Sequence, residues 1–115
     1  MKHLAEHKEL SEDEKIFLAK CRSVINQIEP EAEVILYGSR VRGDGDSESD
    51  YDLLILVDGR VTLERENALC RQLYRVGLET GTTLSPFVYS RQEWNTSLRA
   101  AMPFHANVEK EGVIV

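Results

Sequence analysis

Two short stretches of this chain carry residue types that can do chemistry at useful spacing. The first is Gly38-Ser39, at the end of an aliphatic run, and the second is Asp50-Tyr51-Asp52, at the start of another. A glycine ending a strand lets backbone approach a ligand closely, and a helical turn beginning at Ser39 would aim unpaired N–H groups at phosphate oxygens. Carboxylates two positions apart on a strand project to the same face. Such a pair supplies hard oxygen ligands for Mg²⁺, with substrate phosphates and water completing the shell. Each stretch alone also has a plain reading: Gly-Ser is a common turn, and Asp-x-Asp a common strand start with solvated carboxylates. Between them Arg40 and Arg42 either neutralise phosphates or pair with nearby acidic side chains; for Arg40 the ion pair is the preferred reading.

The elements that must hold these residues follow from the pattern around them. Val34 to Tyr37 and Leu53 to Val57 are aliphatic runs without polar alternation, as expected of strands covered on both faces. The second strand, extended back to include both aspartates, is expected over Asp50 to Val57. Leu84 to Tyr89 predicts a third strand, and Pro86, lacking an N–H, assigns it to a sheet edge or a strand beginning. Ser11 and Glu14 form a capping box that opens a helix ending before Pro30, with Phe17, Cys21, Val24, Ile25 and Ile28 on one face. Thr62 caps a second helix that carries Leu69, Leu73 and Val76 and stops at Gly81. Ser90 and Glu93 repeat the capping spacing, Pro103 begins a last helical segment ending at Gly112, and Val113 to Val115 either add a short strand or pack down. The expected architecture is α/β (α+β): one domain over residues 1–115, a small mixed β-sheet, and helices packed mainly on one face.

Taken together, Gly38-Ser39, Arg42-Gly43 and Ser49-Asp50-x-Asp52-Leu53 resemble the signature of the nucleotidyltransferase superfamily related to DNA polymerase beta, and above all its minimal, single-domain members. The SRQEW segment and the tail from Pro103-Phe104 to Glu111-Gly112 also look like the ends of small members. The resemblance implies that Gly38 and Ser39 hold the phosphates of a nucleoside triphosphate, with Arg42 adding charge. It implies that Asp50 and Asp52 are the catalytic, metal-binding carboxylates for Mg²⁺ or Mn²⁺. A nucleoside monophosphate, AMP for choice, would then pass to a hydroxyl by in-line attack on the α-phosphorus. Active members carry a third carboxylate on the next strand, where this chain has Ser85. That difference should spare nucleotide binding more than chemistry unless Glu79 or Glu48 moves in. With no room in 115 residues for an acceptor domain, the acceptor would be held by a partner or a second copy. Minimal members often pair with a helical HEPN-type protein in toxin–antitoxin or defence systems. The alternative expectation is therefore a catalytically weakened nucleotide-binding module, the antitoxin-like partner of such a protein.

Composition narrows the remaining choices. A net charge of −6 and a pI near 5.1 argue against an extended nucleic-acid surface, which needs basic residues to displace counterions. The acidic excess is local: residues 31–60 hold eight acidic side chains against three basic ones, the segment that contains both motifs. No run is long enough to span a bilayer and the N-terminal MKHLAEHKEL lacks the apolar core of a secretion signal, so the cytoplasm is expected. Cys21 and Cys70 are expected to be small buried hydrophobes. His3, His7 and His105 share no metal spacing, and Trp94, Phe104 and Tyr89 are expected to fill the core. Asp44, Asp46 and Glu48 imitate the start of a calcium-binding loop, but Ser49 stands where its glycine should be and Ile55 where its bidentate glutamate should be.

Overall fold

The computed structural model describes residues 1–43 and 50–115. The chain runs β1 (Lys2–His3), a 3-10 turn (Leu4–Glu6), α1 (Glu12–Ile28), β2 (Glu33–Tyr37), α2 (Ser39–Arg42) and β3 (Tyr51–Val57). It continues through α3 (Leu63–Thr80), β4 (Leu84–Ser90), α4 (Arg91–Trp94), α5 (Ser97–Ala100), α6 (Pro103–Glu111) and β5 (Val113–Ile114). Local signals place the helices as the sequence leads one to expect. Ser11 Oγ accepts the Glu14 N–H while Glu14 Oε1 accepts the Ser11 N–H, both at 3.1 Å, a complete capping box for α1. Thr62 and Ser90 cap α3 and α4 by accepting the N–H three residues on.

The strands form one mixed sheet in the order β1-β5-β2-β3-β4, with β2 antiparallel to β3 and β5, and parallel pairs β3–β4 and β1–β5. β4 is the edge strand that Pro86 requires. Residues 113–114 do pair as a strand, and β1 is an addition that no local pattern announces. β3 begins at Tyr51, so Asp50 lies one residue before the strand rather than within it.

β3 divides the interior in two. On one face Tyr51, Leu53, Ile55 and Val57 pack with Val34 and Leu36 against the long helices, through Leu18, Cys21 and Ile25 of α1 and Leu69, Leu73 and Val76 of α3. On the other, Leu54, Leu56 and Ile35 pack with Trp94 of α4 and Val108 of α6. Both long helices thus share one face, and shorter helices close the other. Each fully buried aliphatic side chain contributes roughly 1.5–3 kcal/mol, so the apolar run that ends the Asp-x-Asp motif is also the anchor of the fold. Arg65 ties the start of α3 to the end of α1 by a forked pair with Glu29, 2.7 and 3.0 Å.

Candidate active site

Antiparallel pairing of β2 with β3 sets Tyr37 opposite Asp52, so the chain leaving β2 at Gly38 must pass directly over that carboxylate. Gly38 has φ 88° and ψ −158°, a region open essentially to glycine alone, and a Cβ there would run into Asp52 Oδ2. Its carbonyl accepts the N–H groups of Val41 at 3.1 Å and Arg42 at 3.2 Å, closing the single turn of α2 that begins with the partly exposed Ser39. Gly38, Ser39 and Asp52 are therefore brought together by the strand pairing itself.

Asp50 is exposed and Asp52 half-buried. The Asp52 carboxyl is held above its ordinary range, first by burial and then by the negative charges of Asp50 and Glu111, with Arg42 opposing. Burial, reinforced by Asp52, pushes the neighbouring Tyr37 hydroxyl up to about 12. Two carboxylates close enough for the charge of Asp50 to disfavour that of Asp52 suit a hard divalent cation that also takes phosphate oxygens. Among the described residues no group of three or more His, Cys, Asp or Glu side chains comes together as a metal cluster. On β4 the residue in register with Asp52 is Ser85. Glu79 is committed elsewhere, to an ion pair with Lys20 on the α1–α3 side, 3.6 Å, so it does not supply a third carboxylate. Glu48, Ser49 and the loop residues Asp44 and Asp46 lie outside the described residues.

The two arginines diverge. Arg40 pairs with Glu14 at 3.4 Å and lies 4.3 Å over the Tyr51 ring, whose hydroxyl donates to the same Glu14 at 3.0 Å. Burial and that hydrogen bond push the Tyr51 hydroxyl to about 12. Arg40 thus braces α2 against α1, as its preferred reading expects. Arg42 Nη1 donates to both carboxylate oxygens of Glu111, each at 3.2 Å, and Glu111 Oε1 also accepts the Gly38 N–H at 3.1 Å. Glu111 is a site residue that sequence reasoning missed; its only signal was its place in the Glu111-Gly112 tail.

Behind Asp52 on the same face lies an aromatic layer. Phe104 sits 5.3 Å from Tyr37, 5.8 Å from Phe87 and 5.7 Å from Trp94, and Phe87, next but one to Ser85, is 51% exposed. Trp94 is buried, as expected, while His105 stacks on it at 4.3 Å and His7 Nε2 bonds the Val41 carbonyl at 3.0 Å. Cys21 is buried, and burial raises its thiol to about 11; Cys70 is only half-buried because it borders an open groove between α3 and β4. That groove, about 560 Å³ and lined by apolar side chains such as Leu73, Tyr74 and Leu84, opens on the face opposite Asp52.

The Gly38 turn and the Asp52 carboxylate thus meet where the end of β2 faces the start of β3. The chain belongs to the nucleotidyltransferase domain family, which matches residues 18–84 and so takes in β2, α2, β3 and α3. It is similar to two curated proteins of Methanocaldococcus jannaschii. One, "Putative protein adenylyltransferase MJ0141", is 41% identical over 58 residues, 50% of this chain and 59% of that protein. The other, "Putative protein adenylyltransferase MJ0604", is 35% identical over 82 residues, 71% of this chain and 75% of that protein. The match to the first relative thus spans about three fifths of its length. Among the described residues no helix is long and apolar enough to cross a membrane.

Proposed function

We propose that this protein transfers a nucleoside monophosphate, AMP, from a nucleoside triphosphate to a hydroxyl acceptor on a protein. The observation that supports this reading is the close packing of Gly38 on Asp52, which sets the Gly38 turn against one carboxylate of the Asp-x-Asp pair. The names of the two relatives favour the adenylyl group and a protein acceptor.

In this reading the backbone around Gly38 and Ser39 holds the terminal phosphates, and Arg42 adds positive charge beside them. Asp50 and Asp52 would hold Mg²⁺ or Mn²⁺, which would supply charge neutralisation on the triphosphate and acidify the attacking hydroxyl. The acceptor oxygen bonds to the α-phosphorus as the bond to the pyrophosphate oxygen breaks, and the hydroxyl proton passes to solvent. Tyr37 stands opposite Asp52 on β2 and is neutral at pH 7 with or without its upward shift, so it adds no charge. The expected setting is the cytoplasm, and the acceptor is presented by a HEPN-type helical partner or by a second copy of the chain.

A second reading, a nucleotide-binding module with weakened chemistry acting as an antitoxin-like partner, is favoured by Ser85, since a hydroxyl stands in register with Asp52 where a third carboxylate would complete the metal shell. Titration calorimetry with Mg²⁺ and ATP, run beside a transfer assay with α-labelled ATP and the co-purified partner, separates the two. Labelled partner supports the transferase. Heat of binding without transferred label supports the module, and no heat at all removes both.

A further inference from the structure

The Gly38 N–H and the Arg42 guanidinium already share an anion that belongs to the chain. Glu111, the last residue of α6, accepts from both, with contacts of 3.1, 3.2 and 3.2 Å. Its negative charge also reaches Asp52 and adds, after burial and Asp50, to the upward shift of that carboxyl. A nucleotide phosphate that uses the same N–H and the same guanidinium has to take them from this carboxylate, because one amide proton cannot serve two acceptors at full strength. Beside Glu111 lies an open cavity of about 550 Å³ whose lining includes Lys2, Lys110 and Arg42 together with the acidic Glu6 and Glu109. A displaced carboxylate therefore has room there, and two lysines to meet it.

We propose that Glu111 is an internal competitor for the phosphate position, released towards Lys2 and Lys110 when a polyphosphate enters. The inference rests on the nucleotide-binding reading above and deepens it, since a doubly charged phosphate group competes with a singly charged carboxylate for the same two donors. Glu111→Gln is the informative change. The glutamine carbonyl still accepts from Gly38, preserving the link between α6 and α2, while the charge that opposes phosphate is gone.

The experiment is titration of Mg²⁺·ATP into the full chain and into E111Q, followed by calorimetry, with thermal melts of both. We expect E111Q to bind about threefold tighter or better and, without nucleotide, to melt at a lower temperature than the parent. A purely structural Glu111 would move both quantities downward together. Binding by the parent that E111Q leaves unchanged or weakens overturns the inference alone; absence of binding in both proteins overturns the nucleotide reading and this inference with it. Should E111Q fail to fold, the carboxyl ¹³C resonance of Glu111 in the parent chain serves instead. A shift on saturation with Mg²⁺·ATP supports displacement, and an unmoved resonance at saturation refutes it.

Discussion

Gly38 and Asp52 occupy space that only a residue without a side chain can share: the carboxylate of Asp52 fills the place where a Cβ on residue 38 would stand. The glycine is thus demanded twice, by its φ of 88° and by its neighbour. Gly38→Ala is expected to cost about 2 kcal/mol or more, read from urea denaturation, and to weaken Mg²⁺·ATP binding as the turn is pushed off the aspartate. A variant with unchanged stability would mean that the strand ends are not packed this closely.

Asp52 makes stability depend on pH in a definite direction. Its carboxyl titrates higher in the folded chain than in the unfolded one, where 3.8 is the ordinary value. Its contribution to stability is full below that value and is lost as pH rises through the raised one. Asp52→Asn is therefore expected to be more stable than the parent at pH 7, with the gain closing below about pH 4. The same change should weaken Mg²⁺·ATP binding at least about tenfold. Asp50→Asn relieves the like-charge part of the shift and should also reduce binding. Urea midpoints at the two pH values test the sign, and loss of stability at pH 7 would refute it.

Ser85 stands beside Asp52 across the parallel pair of β3 and β4. Ser85→Asp puts like charge on neighbouring strands, a penalty on the order of 0.2–1 kcal/mol without metal. It is expected to increase both the Mg²⁺-induced rise in melting temperature and the rate of label transfer. Equal Mg²⁺ effects in the two proteins would show that position 85 does not face the cation.

Trp94, 3% exposed and surrounded by Tyr89, Phe104 and His105, seals the second core behind the site. Trp94→Ala is expected to cost about 3–5 kcal/mol, measured as a shift in the urea midpoint without a large change in slope.

Much of this organisation is legible locally. The capping box at Ser11, the caps at Thr62 and Ser90, the unbroken aliphatic run after Asp52 and the lone Pro86 each act over a few residues, and each element forms where those signals put it. What escaped depends on distant partners. β1 consists of two polar residues that become a strand only by lying beside β5, more than a hundred residues away. Glu111 reaches Gly38 across 73 positions of chain, and nothing near residue 111 announces that destination. The spacing from Asp52 puts Asp50 on the strand, yet the ladder starts one residue later, as strand ends often do. Helix periodicity puts Cys70 in the interior, but a neighbouring groove leaves it half open.

The two aspartates are unequally tethered. Asp52 is continuous with Leu53 to Leu56, which are paired on both sides and shielded above and below; amide hydrogens there should be among the last to exchange with deuterium. Asp50 sits outside that ladder, one residue before β3 begins. Only one half of the pair is thus pinned to the slowest-opening part of the molecule, which leaves the spacing between the two carboxylates, rather than the presence of either, as the quantity most easily altered.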